Sequence, residues 1–318
     1  MKMEKSDNLV LPLFTASVAL LPVLVIAVGY GANDWLGWQE PPPPVGLTLV
    51  DPRYEAIGRS RALAAFLPFM LVSILLVLNF AREYLTFFGP KLRRRMLVPL
   101  GIVLVPAIIS AIPQLVGGPQ GPEIALANSA LARVPPVAGA ALSPQAILGV
   151  LVAGFAVLLA LAATSVTVAT VSCLARPDPS LRPSLKRHYE NAQRGRLTAW
   201  LYGSSLLLVT GLFLIDSCLR WPAAFSRTPE LYLAQVNAVM LQNGILYSTT
   251  LAAYYVPVAW LMRATPRVEG AARRAADADA EADSTPPTMF SPPQVMKAIV
   301  AIMSPAVAAL LTQLIEGL

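Results

Sequence analysis

The densest run of hydrogen-bonding side chains within an apolar stretch lies between Leu233 and Met262. Asn243, Tyr247, Thr250, Tyr254 and Pro257 follow one another at intervals of four, three, four and three residues. That rhythm puts them on one face of a helix, because residues three and four apart stack along its axis. Gln235, Gln242 and Thr249 fall on the adjoining face. Amides and hydroxyls donate and accept hydrogen bonds without carrying charge. Such a stripe suits a path or a binding surface for a small polar, uncharged solute. The same groups also serve as interhelical hydrogen bonds, worth about 0.6 kcal/mol each. In either role they face the bundle interior or water, because polar groups left against hydrocarbon are costly. Gln242, Asn243, Tyr247, Thr250 and Tyr254 are therefore the candidate pore- or ligand-lining residues.

Three prolines, Pro99, Pro106 and Pro113, recur every seven residues in another apolar stretch. Seven residues is nearly two helical turns, so the rings are expected on one face. Each ring removes a hydrogen bond and frees the carbonyl four residues earlier, at Arg95, Ile102 and Ile109. This set is a candidate hinge, or a column of carbonyls for a cation or a donor ligand. A merely curved helix, its carbonyls satisfied by neighbours, has the same sequence. Just before it stand Lys91, Arg93, Arg94 and Arg95, candidate ligands for anionic lipid headgroups. Orientation of the chain in a bilayer explains the same cluster. Thr164, Ser165, Thr167, Thr170 and Ser172 follow the small residues Gly149, Ala153, Ala156 and Ala160, a composition that lets helices pack closely.

Catalytic chemistry finds little to work with. Asp216 and Arg220 are spaced as an i, i+4 pair at the end of a span, which accounts for both. His188 is the single histidine and sits among Arg187, Tyr189 and Glu190, where a solvated ring is the simple reading. Paired histidine ligation of haem is excluded, and a histidine-based zinc site is not expected. No glycine-rich phosphate loop or Ser-His-Asp order is present. Cys173 and Cys218 fall at the ends of spans on opposite faces, too far apart for a disulfide. No catalytic residue, metal or cofactor is expected.

The elements that carry these residues are long apolar blocks. Apolar residues make up 56% of the 318 and charged residues 13%, against about 25% charged in soluble domains. Six spans are predicted, at Leu9–Gly29, Ala62–Phe80, Leu97–Val116, Ile147–Leu174, Thr198–Leu219 and Leu233–Met262. Each is long enough for ~30 Å of hydrocarbon, and none has a charge in its centre. With the N-terminus inside, eighteen of the 24 Lys and Arg residues fall in the tails and alternate loops on the cytoplasmic side. That bias is the positive-inside pattern. Trp35, Trp38 and Trp221 are expected at the outer interface, and Trp200 and Trp260 at the inner one. Both ends of the six-span unit then face the cytoplasm, as in a plasma or bacterial inner membrane. The run after Lys2 and Lys5 is longer than a signal-peptide core and is read as an uncleaved first span.

The outer loops, about 31–61 and 117–145, carry Pro, Gly and Ala, and the first contains four consecutive prolines, Pro41 to Pro44. Residues 1–262 are taken as the six-span domain and 263–293, acidic and proline-bearing, as a flexible cytoplasmic linker. In 294–318, Met296, Ile299, Met303, Leu310, Leu314 and Leu318 recur at helical spacing. This segment reads either as an amphipathic helix at the membrane surface or as a seventh span. The two halves of the chain do not match as an inverted repeat, since prolines crowd the first and hydroxyls the second.

The expectation is an all-α polytopic transmembrane helical bundle: six spans plus an amphipathic or apolar C-terminal helix. The net charge of +6 belongs to the membrane surface and not to nucleic acid, because aromatic and basic residues form no stacking platform. The expected partners are membrane lipids, with other membrane subunits or a second copy of the chain. A non-enzymatic membrane subunit or partner-binding anchor is the favoured function. A channel or permease for a small polar solute, lined by the polar stripe, is the alternative.

Overall fold

Proline starts every long helix of this protein. The ring has no N–H to donate and its fixed φ suits the first helical turn, where N–H groups lack an intrahelical acceptor anyway. The helices are α1 Pro12–Trp35, α2 Pro52–Thr86, α3 Pro90–Val116 and α4 Pro144–Ser172. They continue with α5 Pro183–Arg220, α6 Pro229–Ala276 and α7 Pro292–Glu316. The computed structural model describes residues 8–9, 12–35, 52–86, 88–116, 131, 143–176, 183–225, 229–276 and 292–316. Ser143 caps α4, its hydroxyl accepting from the Ala146 N–H at 3.2 Å. A short 3-10 turn, Trp221–Phe225, follows α5.

Among the described residues the fold is all-α apart from one short antiparallel pairing of β1 Asn8–Leu9 with β2 Ala175–Arg176. Among the described residues, four helices contain stretches long and apolar enough to cross a membrane: Glu55–Thr86, Pro144–Ser172, His188–Ala224 and Pro229–Met262. The expected spans at Leu9–Gly29 and Leu97–Val116 overlap α1 and α3. Several helices outrun the expected spans. α2 begins at Pro52, inside the expected first outer loop, and α6 continues to Ala276, into the expected linker. Residues 277–291 of that linker lie outside the described residues, and Pro292 and Pro293 at its end open α7.

Helices α4, α5 and α6 form the middle of the bundle, and the others fill the grooves around them. α2 packs along α4 and α5, α7 along α5 and α6, and the pair α1 and α3 along α6 and α4. Two apolar cores are stacked along this axis. One gathers Phe88, Met96, Val168, Trp200, Leu251 and Val258; the other gathers Phe69, Leu148, Leu212, Leu219, Trp221 and Met240.

α2 and α5 run antiparallel in close contact. The Cβ position of Gly58 is 2.8 Å from the Trp221 ring, that of Gly203 is 2.7 Å from the Leu76 side chain, and Gly211 meets Phe69 and Phe155 at 3.5–3.6 Å. Trp200 and Trp221 are consequently core residues. This corrects the expectation that they sit in an aromatic belt; of the two tryptophans assigned to the inner interface, Trp260 alone is exposed. α3 is anchored by Leu92, Met96, Pro99 and Val103 and exposes Val105, Pro106, Ile108 and Ile109 beyond them.

α7 lies antiparallel along α6. Its Ala298 and Ile302 pack on the first core, near Leu261 and Met262, while Ala309 meets Gly244. Pro305 cannot donate to the Ala301 carbonyl, and the Ser304 hydroxyl donates there instead at 2.9 Å. Ser304 also pairs with the Ser205 hydroxyl of α5, and the Ala306 N–H donates to the Ser248 hydroxyl of α6 at 3.1 Å. The outward face of α7 is apolar, with Val295, Ile299, Val300, Met303, Val307 and Leu310 exposed.

The seam between α6 and α7 tolerates no side chain at Gly244. A Cβ there sits 2.7 Å from the Ala309 Cβ, 3.1 Å from the Pro305 carbonyl oxygen and 3.2 Å from the Ala306 Cα. Gly244→Leu is expected to push α7 off the bundle at a cost of about 1–3 kcal/mol. Thermal unfolding in detergent, together with loss of a disulfide engineered across Ser205→Cys and Ser304→Cys, reads this out. An unchanged midpoint and an intact cross-link in Gly244→Leu would show that the seam is not close-packed.

Candidate functional site

The polar stripe of α6 turns into the bundle. Asn243 is 2% exposed, Tyr247 7%, Thr250 7% and Tyr254 5%, so all four are sealed among α1, α5 and α7. Gln242, beside them, is half-buried. Their hydrogen-bonding capacity is taken up locally. Thr250 donates to the Leu246 carbonyl at 2.8 Å, and Tyr254 bonds the Ser204 hydroxyl, which itself donates to the Trp200 carbonyl at 2.5 Å. Gln242, Asn243 and Tyr247 each engage a neighbour as well. Ser248, one position off the stripe, carries the contact to α7. Thr249 points outward and folds back on the Ile245 carbonyl at 2.8 Å.

The proline set does not share one environment. Pro99 is buried in the bundle and Pro106 is exposed, while the Pro113 side chain lies outside the described residues. α3 stays helical from Pro90 to Val116.

The basic run divides in a similar way. Arg93 Nε donates to the Tyr84 carbonyl at 3.1 Å and its Nη2 donates to the Leu85 carbonyl at 2.8 Å. Its guanidinium lies 5.4 Å from the centre of the Tyr84 ring. These are among the last carbonyls of α2, which have no helical donor, so Arg93 caps that helix. Arg94 and Arg95 are exposed, and the Lys91 side chain lies outside the described residues.

Two ionic clusters hold α5, one in its first half and one in its last turn. In the first half Arg196 pairs with Glu83 of α2, and the Trp200 indole N–H donates to the same Glu83 oxygen at 3.2 Å. Arg196 also donates to Gln193 at 2.7 Å and to Ser172 of α4 at 3.4 Å, and Gln193 donates to the Tyr189 hydroxyl at 2.7 Å. At the other end Arg220 donates to Asp216 at 2.7 Å, as its spacing predicts, and to Asn237 of α6 at 2.7 Å. Tyr232 closes this end by donating to the Leu219 carbonyl at 2.6 Å.

Sequence reasoning missed the Glu83 cluster because it placed Glu83 and Arg196 in loops. The available signal was the spacing of Tyr189, Gln193, Arg196 and Trp200, which forms one helical face once Pro183 is taken as the start of α5. His188 is exposed on that same helix. Cys173 and Cys218 are buried, free and in different cores. Among the described residues no three His, Cys, Asp or Glu side chains are grouped as metal ligands.

These features define an all-α protein with candidate transmembrane helices, whose polar side chains are gathered in the bundle interior and at helix ends. No family model, curated protein or solved structure matches the chain.

Removing one partner of a buried ion pair leaves the other charge without compensation, at a cost of about 3–5 kcal/mol. Glu83→Ala is therefore expected to lower stability in detergent by that amount, and Glu83→Leu combined with Arg196→Met to recover most of it. A double-mutant cycle on thermal unfolding measures the coupling. Strictly additive effects would mean that the pair does not tie α2 to α5.

Proposed function

We propose that the chain is a non-enzymatic integral membrane subunit. It would cross the bilayer seven times, with its N-terminus in the cytoplasm, and bind other membrane subunits or a second copy of itself. The observation that carries the subunit reading is the closure of the polar stripe: Asn243, Tyr247, Thr250 and Tyr254 are each at most 7% exposed. A solute path needs such groups to meet water. Here hydroxyls are bonded to carbonyls and to other hydroxyls, which is how polar side chains hold membrane helices together.

The arrangement of helix ends supports the topology. The β1–β2 pairing brings Asn8, before α1, to Arg176, after α4. Glu83 near the end of α2 meets Arg196 in the first half of α5, and Arg93 at the start of α3 caps the end of α2. These ends fall on one side, and they carry the Lys- and Arg-rich segments expected in the cytoplasm. The seventh crossing is supported by α7, which lies along α6 and exposes apolar residues outward. A helix resting on the membrane surface would instead present a polar outer face.

A reporter fused after Leu318 is expected outside, and one placed in the segment between α6 and α7 inside. Purification in mild detergent is expected to yield a stoichiometric assembly, homomeric or with another membrane protein. Reconstituted protein is expected to move no polar uncharged solute above the rate of empty vesicles. A solute flux abolished by Asn243→Leu in protein that still inserts would overturn the subunit reading in favour of a permease.

A further inference from the structure

α5 is flanked by α2 and α7, which share no extended contact with each other. Gly203 and Ser205 show how. Two residues apart on a helix, they point about 200° from one another. A Cβ at Gly203 would lie 2.7 Å from the Leu76 side chain of α2, while the Ser205 hydroxyl pairs with that of Ser304 on α7. On its inner side α5 packs against α4 and α6. Its outer side stays open. Tyr202, Leu206 and Phe213 are the large apolar residues that α5 exposes, and their spacing of four and seven aligns them in one stripe. Thr210 folds its hydroxyl back on the Leu206 and Leu207 carbonyls at 2.9 and 3.0 Å. The stripe floors a shallow furrow walled by α2 and α7.

The contacts of α5 fix which residues meet at the cytoplasmic end of this furrow. Glu83 with Arg196, Leu76 with Gly203 and Phe69 with Gly211 hold α2 in one antiparallel register, which sets Asn79 level with Trp200. Asn79 stands three residues after Leu76 and four before Glu83, both turned to α5, so it borders the same seam. It is exposed, and the inner side of that seam is filled by α4, so Asn79 faces the furrow. α7 runs parallel to α5, in register where Ser304 meets Ser205. Lys297, two turns before Ser304 on the same face, then lies level with Thr198 and is exposed. Tyr202, three residues before Ser205, is 42% exposed. An amide, a phenol and an ammonium from three helices thus fall within about 6 Å of one depth. None of the three makes a hydrogen bond or ion pair among the described residues. That depth is where the expected span of α5 begins, at Thr198. From Tyr202 to Phe213 the stripe runs about 16 Å, the hydrocarbon thickness of one leaflet.

We propose that the furrow between α2 and α7 holds one anionic phospholipid of the cytoplasmic leaflet. Its phosphate sits on Lys297 and Tyr202, its ester groups reach Asn79, and one acyl chain lies along Leu206 and Phe213. The ammonium and the phenol O–H donate to the phosphate, and the amide donates to an ester carbonyl. The unpaired charge of Lys297 selects an anionic headgroup. The inference rests on the membrane reading of the chain.

Native mass spectrometry of the detergent-solubilised chain, titrated with phosphatidylglycerol or phosphatidylcholine, tests it. One phosphatidylglycerol per chain is expected to be retained in preference to phosphatidylcholine. Lys297→Gln is expected to weaken that retention about fivefold, and Tyr202→Phe to weaken it further. Both residues are exposed, so the unfolding midpoint is expected to stay unchanged. Arg94→Gln, which removes an exposed cation from α3 on another side of the bundle, is expected to leave the retained lipid in place. Equal retention of the two lipids, full retention in Lys297→Gln, or an equal loss in Arg94→Gln would each overturn the proposal. Displacement by millimolar inorganic phosphate would reduce the site to one for free phosphate and overturn it as well. A lipid-free dimer that dissociates in Leu206→Trp would assign the furrow to a second copy instead. Failure of the membrane reading has a separate signature, recovery of the intact chain from a detergent-free aqueous extract.

Discussion

In this bundle most buried polar side chains find a partner inside the protein, with Glu55 Oε1, Thr170 Oγ1, Arg196 Nε and Trp221 Nε1 left without a hydrogen bond, and that constraint organises the structure. The outward faces of α2, α3, α4 and α7 are lined with exposed Leu, Ile, Val and Met. Such a surface suits hydrocarbon, where an unpartnered amide or carboxylate is costly. Glu83 is tolerated because Arg196 and Trp200 converge on one of its oxygens. Asp216 is tolerated because Arg220 reaches it from the next turn and then extends to Asn237. The two clusters tie α5 to α2 and α4 in its first half and to α6 at its last turn. Between them the glycines of α5 and α2 bring the two backbones close over most of their shared length.

The C-terminal helix obeys the same rule. Pro305 breaks the helical hydrogen-bond pattern within an apolar segment, which would ordinarily leave a carbonyl bare. Ser304 returns a donor to that carbonyl and also binds Ser205, while Ser248 takes the Ala306 N–H. The break in α7 is thus turned into its attachment to α5 and α6. Gly244 completes the arrangement, since the α7 backbone approaches only where α6 has no side chain.

Much of the architecture was legible in the chain. The apolar blocks marked the helices, and the rhythm of Asn243, Tyr247, Thr250 and Tyr254 identified the inward face of α6. The prolines at each helix start held more information than the span boundaries used: Pro52 and Pro183 extend α2 and α5 well past their apolar cores. The pairing of Glu83 with Arg196 was not legible, because it depends on which helices are neighbours, and no local pattern encodes that. The prolines of α3 are a different case: their seven-residue spacing defines a helical face, yet Pro99 is buried and Pro106 exposed, a difference that local spacing does not encode. For the C-terminal segment, composition allowed either a surface helix or a span. Its attachment to the bundle depends on Gly244, Ser248 and Ser205, residues on other helices.

Close packing and open space are therefore distributed unevenly, and this bears on where binding chemistry can occur. Along the axis α4, α5 and α6 are filled by aromatic rings and sealed hydroxyls, and every residue of the α6 stripe is already engaged. Substituting one of them removes a structural hydrogen bond before it could alter a ligand contact. At the periphery the situation reverses, since α2, α3, α4 and α7 carry large exposed apolar side chains there. A contact made on these outer faces would have no buried hydrogen bond to displace, unlike one made at the α6 stripe.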